Sequence, residues 1–262
     1  MQPLVMGILN VTPDSFSDGG KYSSLDSIVT RAEQMIAEGA DIIDIGAESS
    51  RPGAQALPLD EELRRVMPVL YALRDCGKPL SIDTYKPEVM REVLAAGADM
   101  INDINGFRAE GALDAVKDSD CGLCVMHMQN TPQVMQDSPK YHDVVAEVIA
   151  FLLERIAVLT DAGISRARLC IDPGFGFGKT LAQNILLLQK IDEIKKATGL
   201  PLLAGMSRKS MIGAMTGKPV EDRLAGSLSA ALIAASNGAH ILRVHDVAET
   251  VDALAVWKAT TI

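Results

Sequence analysis

A repeat constrains this chain more than any other feature. Glu38-Gly-Ala-Asp-Ile-Ile-Asp44, Ala96-Gly-Ala-Asp-Met-Ile-Asn102 and Asn237-Gly-Ala-His-Ile-Leu-Arg243 share one grammar. A helix ends, glycine takes the left-handed C-cap, and a β-type run starts at once. Read for period, the chain holds eight such runs: Leu4–Asn10, Asp41–Ile45, Pro79–Asp83, Asp99–Ile104, Gly122–His127, Arg168–Asp172, Pro201–Gly205 and Ala239–His245. Amphipathic helical patterns fill the gaps, with Leu25–Glu38 and Val144–Ala162 the plainest. Strands alternating with helices imply right-handed crossovers and a parallel sheet. Eight such units in 262 residues predict an α/β fold, a single (β/α)8 TIM barrel over residues 1–262, since ~250 residues is typical of that barrel. An open doubly wound sheet is the rival. No G-x-G-x-x-G turn and no Pro/Gly-rich linker between halves supports it.

Composition narrows the partners. The chain has 34 acidic against 25 basic residues, a net charge of -9, with no run of Lys/Arg. A binder of phosphate backbones needs the opposite sign or a basic stripe, so nucleic acid is not expected. The four cysteines, Cys76, Cys121, Cys124 and Cys170, are too sparse for a disulfide scaffold and suggest a reducing compartment. The first residues lack the basic n-region of a signal peptide, and no stretch reaches ~18 apolar residues. A soluble cytoplasmic protein without a membrane partner is the expectation.

In such a barrel chemistry sits at the C-terminal ends of the strands. Those ends carry Asn10, then Glu48 and Arg51 just past the second strand, then Asp83, Asn102, His127 and Asp172. Lys209 follows the seventh strand, and Arg243 and His245 share one face of the eighth. Taken singly, Asp and Asn at these places could be turn formers or helix caps, and His127 a satisfied core histidine. As a set they converge: carboxylates and an amide on strands three, four and six, cations on seven and eight. That split predicts a ligand with one hydrogen-bond-rich end and one anionic end.

Two motifs mislead. Cys121-Gly-Leu-Cys124 is a C-x-x-C, but it straddles a strand start, where positions three apart point to opposite faces, and no second pair completes a zinc site. Gly174-Phe-Gly-Phe-Gly-Lys-Thr180 ends like a P-loop, yet Pro173 stands where that pattern needs glycine. The connections Val11–Tyr22 and Ala47–Pro58 are long for a compact domain and have the composition of lids or binding loops.

Longer stretches then match a family. Gly7-Ile-Leu-Asn-Val-Thr-Pro-Asp-Ser-Phe-Ser-Asp-Gly-Gly20 and Gly46-Ala-Glu-Ser-Ser-Arg-Pro-Gly53 resemble the first two signatures of the dihydropteroate synthases. Ser81-Ile-Asp-Thr84, Ile101-Asn-Asp-Ile104, Asp172-Pro-Gly-Phe-Gly-Phe-Gly-Lys179, Ser207-Arg-Lys-Ser210 and Arg243-Val-His-Asp246 continue the likeness in order along essentially the whole chain. The resemblance implies condensation of (7,8-dihydropterin-6-yl)methyl diphosphate with 4-aminobenzoate, giving 7,8-dihydropteroate and pyrophosphate. It also implies a homodimer and Mg²⁺, with Asn10 as a metal ligand. By motif, Asp83, Lys209 and Arg51 would be catalytic. Asp83, Asn102 and Asp172 would hold the pterin, with Lys209 over its rings and Phe177 in the substrate-binding set. Arg243, His245 and Asn10 would hold the diphosphate, and Ser50, Arg51, Pro52, Ser210 and Phe16 the aminobenzoate. Ala47 and Ser50 depart from the family's second motif, which has glycine and threonine there. A pterin-binding methyltransferase resembles the same fold, but has no use for a diphosphate clamp.

Overall fold

The computed structural model describes residues 2–11, 21–48, 56–129 and 139–260. Strands and helices alternate as β1 Leu4–Asn10, α1 Lys21–Ala37, β2 Ile42–Gly46, α2 Leu59–Leu73, β3 Leu80–Asp83, α3 Pro87–Ala95, β4 Met100–Asp103, α4 Ala112–Val116, β5 Gly122–Met126 and α5 Val144–Asp161. They continue as β6 Leu169–Asp172, α6 Leu181–Gln189, α7 Ile191–Thr198, β7 Leu203–Ala204, α8 Ser210–Thr216, α9 Leu224–Ser236, β8 Ile241–Val244 and α10 Val247–Thr260. The strands are all parallel and run in the order β6-β5-β4-β3-β2-β1-β8-β7. A single parallel bridge between Ile171 and Leu202, with Ile171 N–H donating to the Pro201 carbonyl at 2.9 Å, joins β6 to β7 and closes the ring. The expected eight-stranded barrel is the architecture. Gly39, Gly97 and Gly238 of the repeat have φ of +103°, +100° and +94°, the left-handed conformation that ends each helix.

Differences from the sequence reading lie at the margins. The seventh strand shrinks from Pro201–Gly205 to Leu203–Ala204, because Pro201 has no N–H to give a ladder. α1 begins at Lys21 rather than Leu25, since its first turn carries no apolar periodicity. Two helices rather than one follow both β6 and β7.

Alternation along the strands builds two cores. Outward residues such as Leu9, Ile43, Ile45, Ile82, Ile101 and Val125 pack under the helices with Ile28, Met35, Val66 and Val69. Inward residues Met6, Ile42, Met100, Cys124, Cys170, Leu203 and Ile241 plug the barrel. Two positions further along, on the same inward lanes, lie Ile8, Asp44, Asn102, Met126, Asp172 and Arg243. The interior therefore changes from apolar to mostly polar at one level.

Candidate functional site

That polar level is a connected network. Arg243 donates from Nε to Asp44 Oδ2 at 2.6 Å and from a terminal nitrogen to Asp83 Oδ2 at 2.7 Å. Asn102 Nδ2 donates to the same Asp44 oxygen at 3.3 Å. Four strands, β2, β3, β4 and β8, thus meet through three side chains around one guanidinium. Burial works against the charge on Arg243, but Asp44 and Asp83 outweigh it and hold its pKa above the ordinary value. Burial raises Asp83, with Arg243 opposing and Asp44 reinforcing the shift. Asp44 Oδ1 and Ser81 Oγ, in register on β2 and β3, are buried and have no hydrogen-bond partner among the described residues. Buried polar atoms in that condition mark where a ligand or water completes the network.

Asp172, at the end of β6, accepts the Gly174 N–H on Oδ1 at 2.7 Å. Burial raises its pKa, with Lys209 pulling it back. Lys209 donates to the Phe175 carbonyl at 2.7 Å and sits 4.5 Å from the centre of the Phe177 ring. Burial brings Lys209 down to about 8. Phe177 packs with Ile104, Met126 and Met128, giving the carboxylate an apolar wall alongside it. A flat heterocycle with an amidine edge suits that pairing of surfaces.

Between α1 and the ends of β1 and β8 is a cavity of about 430 Å³, lined among others by Asn10, Ser27, Arg31, Arg208, His245 and Asp246. Arg208 makes a bidentate pair with Asp246 at 2.6 and 3.0 Å. Arg31 donates to Glu38 at 3.1 Å and to the His245 carbonyl at 3.3 Å. His245 Nδ1 lies 3.0 Å from Ser207 Oγ. Burial and then the Arg243 charge push His245 down to about 4. The loop after β7 supplies Arg208, the end of β8 supplies His245 and α1 supplies Arg31, a setting for phosphate oxygens.

The structure brings Asp83, Asn102, Asp172, Phe177, Lys209, Arg243, His245 and Asn10 to the C-terminal mouth, and Ser210 stands exposed at the start of α8. Phe16, Ser50, Arg51 and Pro52 lie outside the described residues. Other polar strand-end residues prove structural. Asp103 accepts the N–H groups of Asn105 and Phe107, both at 2.7 Å, as a turn former does. Glu48 accepts Tyr85 Oη at 2.6 Å and pairs with Lys86, which also meets Glu62. His127 is 5% exposed and stands edge-on to Phe151 at 4.9 Å. Cys121 and Cys124 fall in the outer and inner cores respectively, as expected of positions on opposite faces.

Sequence reasoning missed Asp44, Ser81 and Arg208. Asp44 hides in the run Ile42-Ile-Asp-Ile-Gly46, which reads as a strand buried on both faces. The available signal was parity: Asp44 is two residues from Ile42, as Asn102 is from Met100 and Arg243 from Ile241.

Residues 6–245 match the family model described as pterin binding enzyme. The dihydropteroate synthase of Escherichia coli strain K12 is 52% identical over 259 residues, covering 98% of this chain and 92% of that one. Among solved structures, Xanthomonas albilineans dihydropteroate synthase with 4-aminobenzoic acid superposes with a TM-score of 0.92 at 54% identity, covering 98% of this chain and 93% of that one. Burkholderia cenocepacia dihydropteroate synthase complexed with 7,8-dihydropteroate gives 0.90 at 56% identity, covering 98% and 91%.

Proposed function

The chain belongs to the pterin-binding enzymes, its relatives over almost their whole length being dihydropteroate synthases, and from that premise we propose how its residues divide the work. It is a transferase of folate synthesis that joins (7,8-dihydropterin-6-yl)methyl diphosphate to 4-aminobenzoate, forming 7,8-dihydropteroate and pyrophosphate. The carrying observation is a division at the C-terminal ends of the strands, with Asp172, Asn102 and the Phe177 wall in one place and Asn10, His245, Arg31 and Arg208 around a cavity beside α1 in another.

In this reading Asp172 accepts the pterin amino and ring N–H groups as a charge-assisted pair. Asn102 adds a hydrogen bond and Lys209 lies over the rings. The diphosphate enters the cavity beside Asn10 and His245 and competes for Arg243, now held by Asp44 and Asp83. Arg243, shared between the diphosphate and Asp83, keeps Asp83 ionised beside the methylene. As the carbon–oxygen bond breaks, the electron pair leaves with pyrophosphate, and Asp83 stabilises the positive charge that develops on carbon. The aniline nitrogen then bonds to that carbon and loses a proton. Ser50, Arg51, Pro52, Ser210 and Phe16 take the aminobenzoate, the role their motifs imply. Mg²⁺ fits this site. Asn10 would hold it, offering a hard side-chain oxygen at the cavity lip. Phosphate oxygens and water would supply its remaining ligands. When bound, the ion supplies charge neutralisation to the leaving diphosphate.

The test is pyrophosphate release from the pterin diphosphate with Mg²⁺, with and without 4-aminobenzoate, following product by chromatography. One pyrophosphate per dihydropteroate is expected. Binding of the pterin diphosphate without product would contradict the assignment. The same reading includes a homodimer in the cytoplasm. No helix among the described residues is long and apolar enough to cross a membrane. Light scattering should give twice the 28.0 kDa chain mass, and a monomer mass would refute the dimer.

A further inference from the structure

Lys179 is a buried lysine, 4% exposed, that the mechanism above leaves unused; burial brings it down to about 7, with Asp172 favouring its charged form. Its ammonium donates to the carbonyls of Gly174 and Phe177, both at 2.9 Å, and lies 3.0 Å from His127 Nδ1. The His127 carbonyl is further off at 3.5 Å. Three protons thus meet three close acceptors. For this to hold, His127 Nδ1 accepts and the ring proton sits on Nε2, a tautomer assigned from the network. Burial, then the Lys179 charge, hold His127 far below its ordinary range, at about 2, so the ring is neutral and free to accept. No N–H of Lys179 remains for a phosphate, which is why the Gly-Lys-Thr sequence is not a nucleotide cradle here.

What the ammonium ties down is a segment with little stiffness of its own. Between Asp172 and Lys179, Gly174, Gly176 and Gly178 take φ of +73°, +80° and +59°, and three glycines leave a backbone loose unless its carbonyls are held. A Cβ on Gly174 would stand 1.9 Å from the His127 carbonyl oxygen, so the segment lies hard against the end of β5. Lys179 clamps it from within, while Lys209 holds the Phe175 carbonyl. Two groups depend on that clamp directly. The Gly174 N–H orients Asp172, and Phe177 forms the apolar wall.

We propose that Lys179 is a positioning residue for the pterin end of the site. By fixing the carbonyls of Gly174 and Phe177 to the end of β5, it holds the Asp172 carboxylate and the Phe177 ring in one arrangement. This rests on the reading of Asp172 as the pterin carboxylate. Because the pterin is gripped alike in the bound and transition states, loosening the clamp weakens binding without slowing the chemical step.

The experiment compares Lys179→Met, close in length and volume, with the parent enzyme and with Asp172→Asn. Steady-state kinetics and calorimetric titration of the pterin diphosphate and of pyrophosphate are run after a thermal melt confirms folding. The expected result for Lys179→Met is a pterin KM and Kd raised tenfold or more. Its kcat, aminobenzoate KM and pyrophosphate Kd should stay within twofold of the parent. A folded variant with pterin binding within twofold of the parent overturns the proposal, and so does an equal loss for every ligand together with kcat. If Lys179→Met does not fold, Lys179→Gln, which keeps a donor, is judged by a threefold rise in pterin KM. Failure of both to fold makes Lys179 a residue of stability and also overturns it. If Asp172→Asn leaves pterin affinity unchanged, the site reading itself fails. A loss in Asp172→Asn with none in Lys179→Met sinks only the clamp.

Discussion

Replacing Arg243 by Met removes the cation that two buried carboxylates share. Asp44 is fully buried, Asp83 nearly so, and the contacts to the guanidinium are 2.6 and 2.7 Å. Breaking a buried ion pair by removing one partner destabilises by ~3–5 kcal/mol. For a chain of this size each kcal/mol moves Tm by roughly 2–4 °C, so the expected fall at neutral pH is on the order of 6–20 °C. The loss also has a pH signature. Burial already raises Asp83 in the parent, with Arg243 the leading force against that rise. Without Arg243 the folded-state pKa climbs further. A carboxyl protonated in the fold but ionised in the unfolded chain takes up a proton on folding, so stability rises as pH falls. The Tm difference between parent and Arg243→Met should therefore shrink from about pH 8 to pH 5, read by calorimetric melting across the range. A gap that stays constant with pH, or that never exceeds about 2 °C, would refute the idea that Arg243 neutralises this pair.

Other outcomes follow from the same geometry. Gly174→Ala places a methyl against the His127 carbonyl at a φ of +73°. It should cost about 2–4 kcal/mol of stability in urea unfolding, and an unchanged midpoint would show that the segment shifts freely. His245 is neutral in the free protein, pushed to about 4 by burial and then by Arg243. A bound diphosphate favours its charged form, so between about pH 5 and 6 pyrophosphate binding should draw more protons in the parent than in His245→Gln, and equal uptake would remove His245 from the anion site. Ser50→Thr restores one methyl group. If that methyl is buried against the aminobenzoate ring, affinity should improve by ~0.8 kcal/mol, about fourfold, in the aminobenzoate KM. No change would take residue 50 away from the ring.

The barrel was legible because its units repeat. Each Gly-Ala junction fixes a helix end and a strand start, and three of them set a spacing that the other strands obey. Closure between β6 and β7 was not legible, because one bridge at Leu202 beside Pro201 carries little pattern. The site was legible where a polar residue ends an apolar run, as at Asp83, Asn102 and Asp172. It was hidden where the polar residue lies inside such a run. Asp44 looks like an interruption in β2 until the parity of inward positions is followed from Ile42. His127 shows the reverse: it ends a strand as the site residues do, yet faces Lys179 beneath the mouth. Position along the strand cannot separate those cases, because what decides them is which neighbouring loop supplies a partner.

The strand ends of one barrel hold the two ends of one substrate with two separate sets of residues. The most direct test is a calorimetric comparison of two ligands, the hydroxymethyl-dihydropterin without its diphosphate and pyrophosphate alone, on Asp172→Asn and His245→Ala. Asp172→Asn should lose roughly 1.5–3 kcal/mol, one to two decades, for the pterin and nothing beyond about twofold for pyrophosphate. His245→Ala should show the opposite pattern, with pyrophosphate weakened by about tenfold. If both substitutions weaken the same ligand, or each weakens both alike, the mouth is one undivided site and the division of labour described above is wrong.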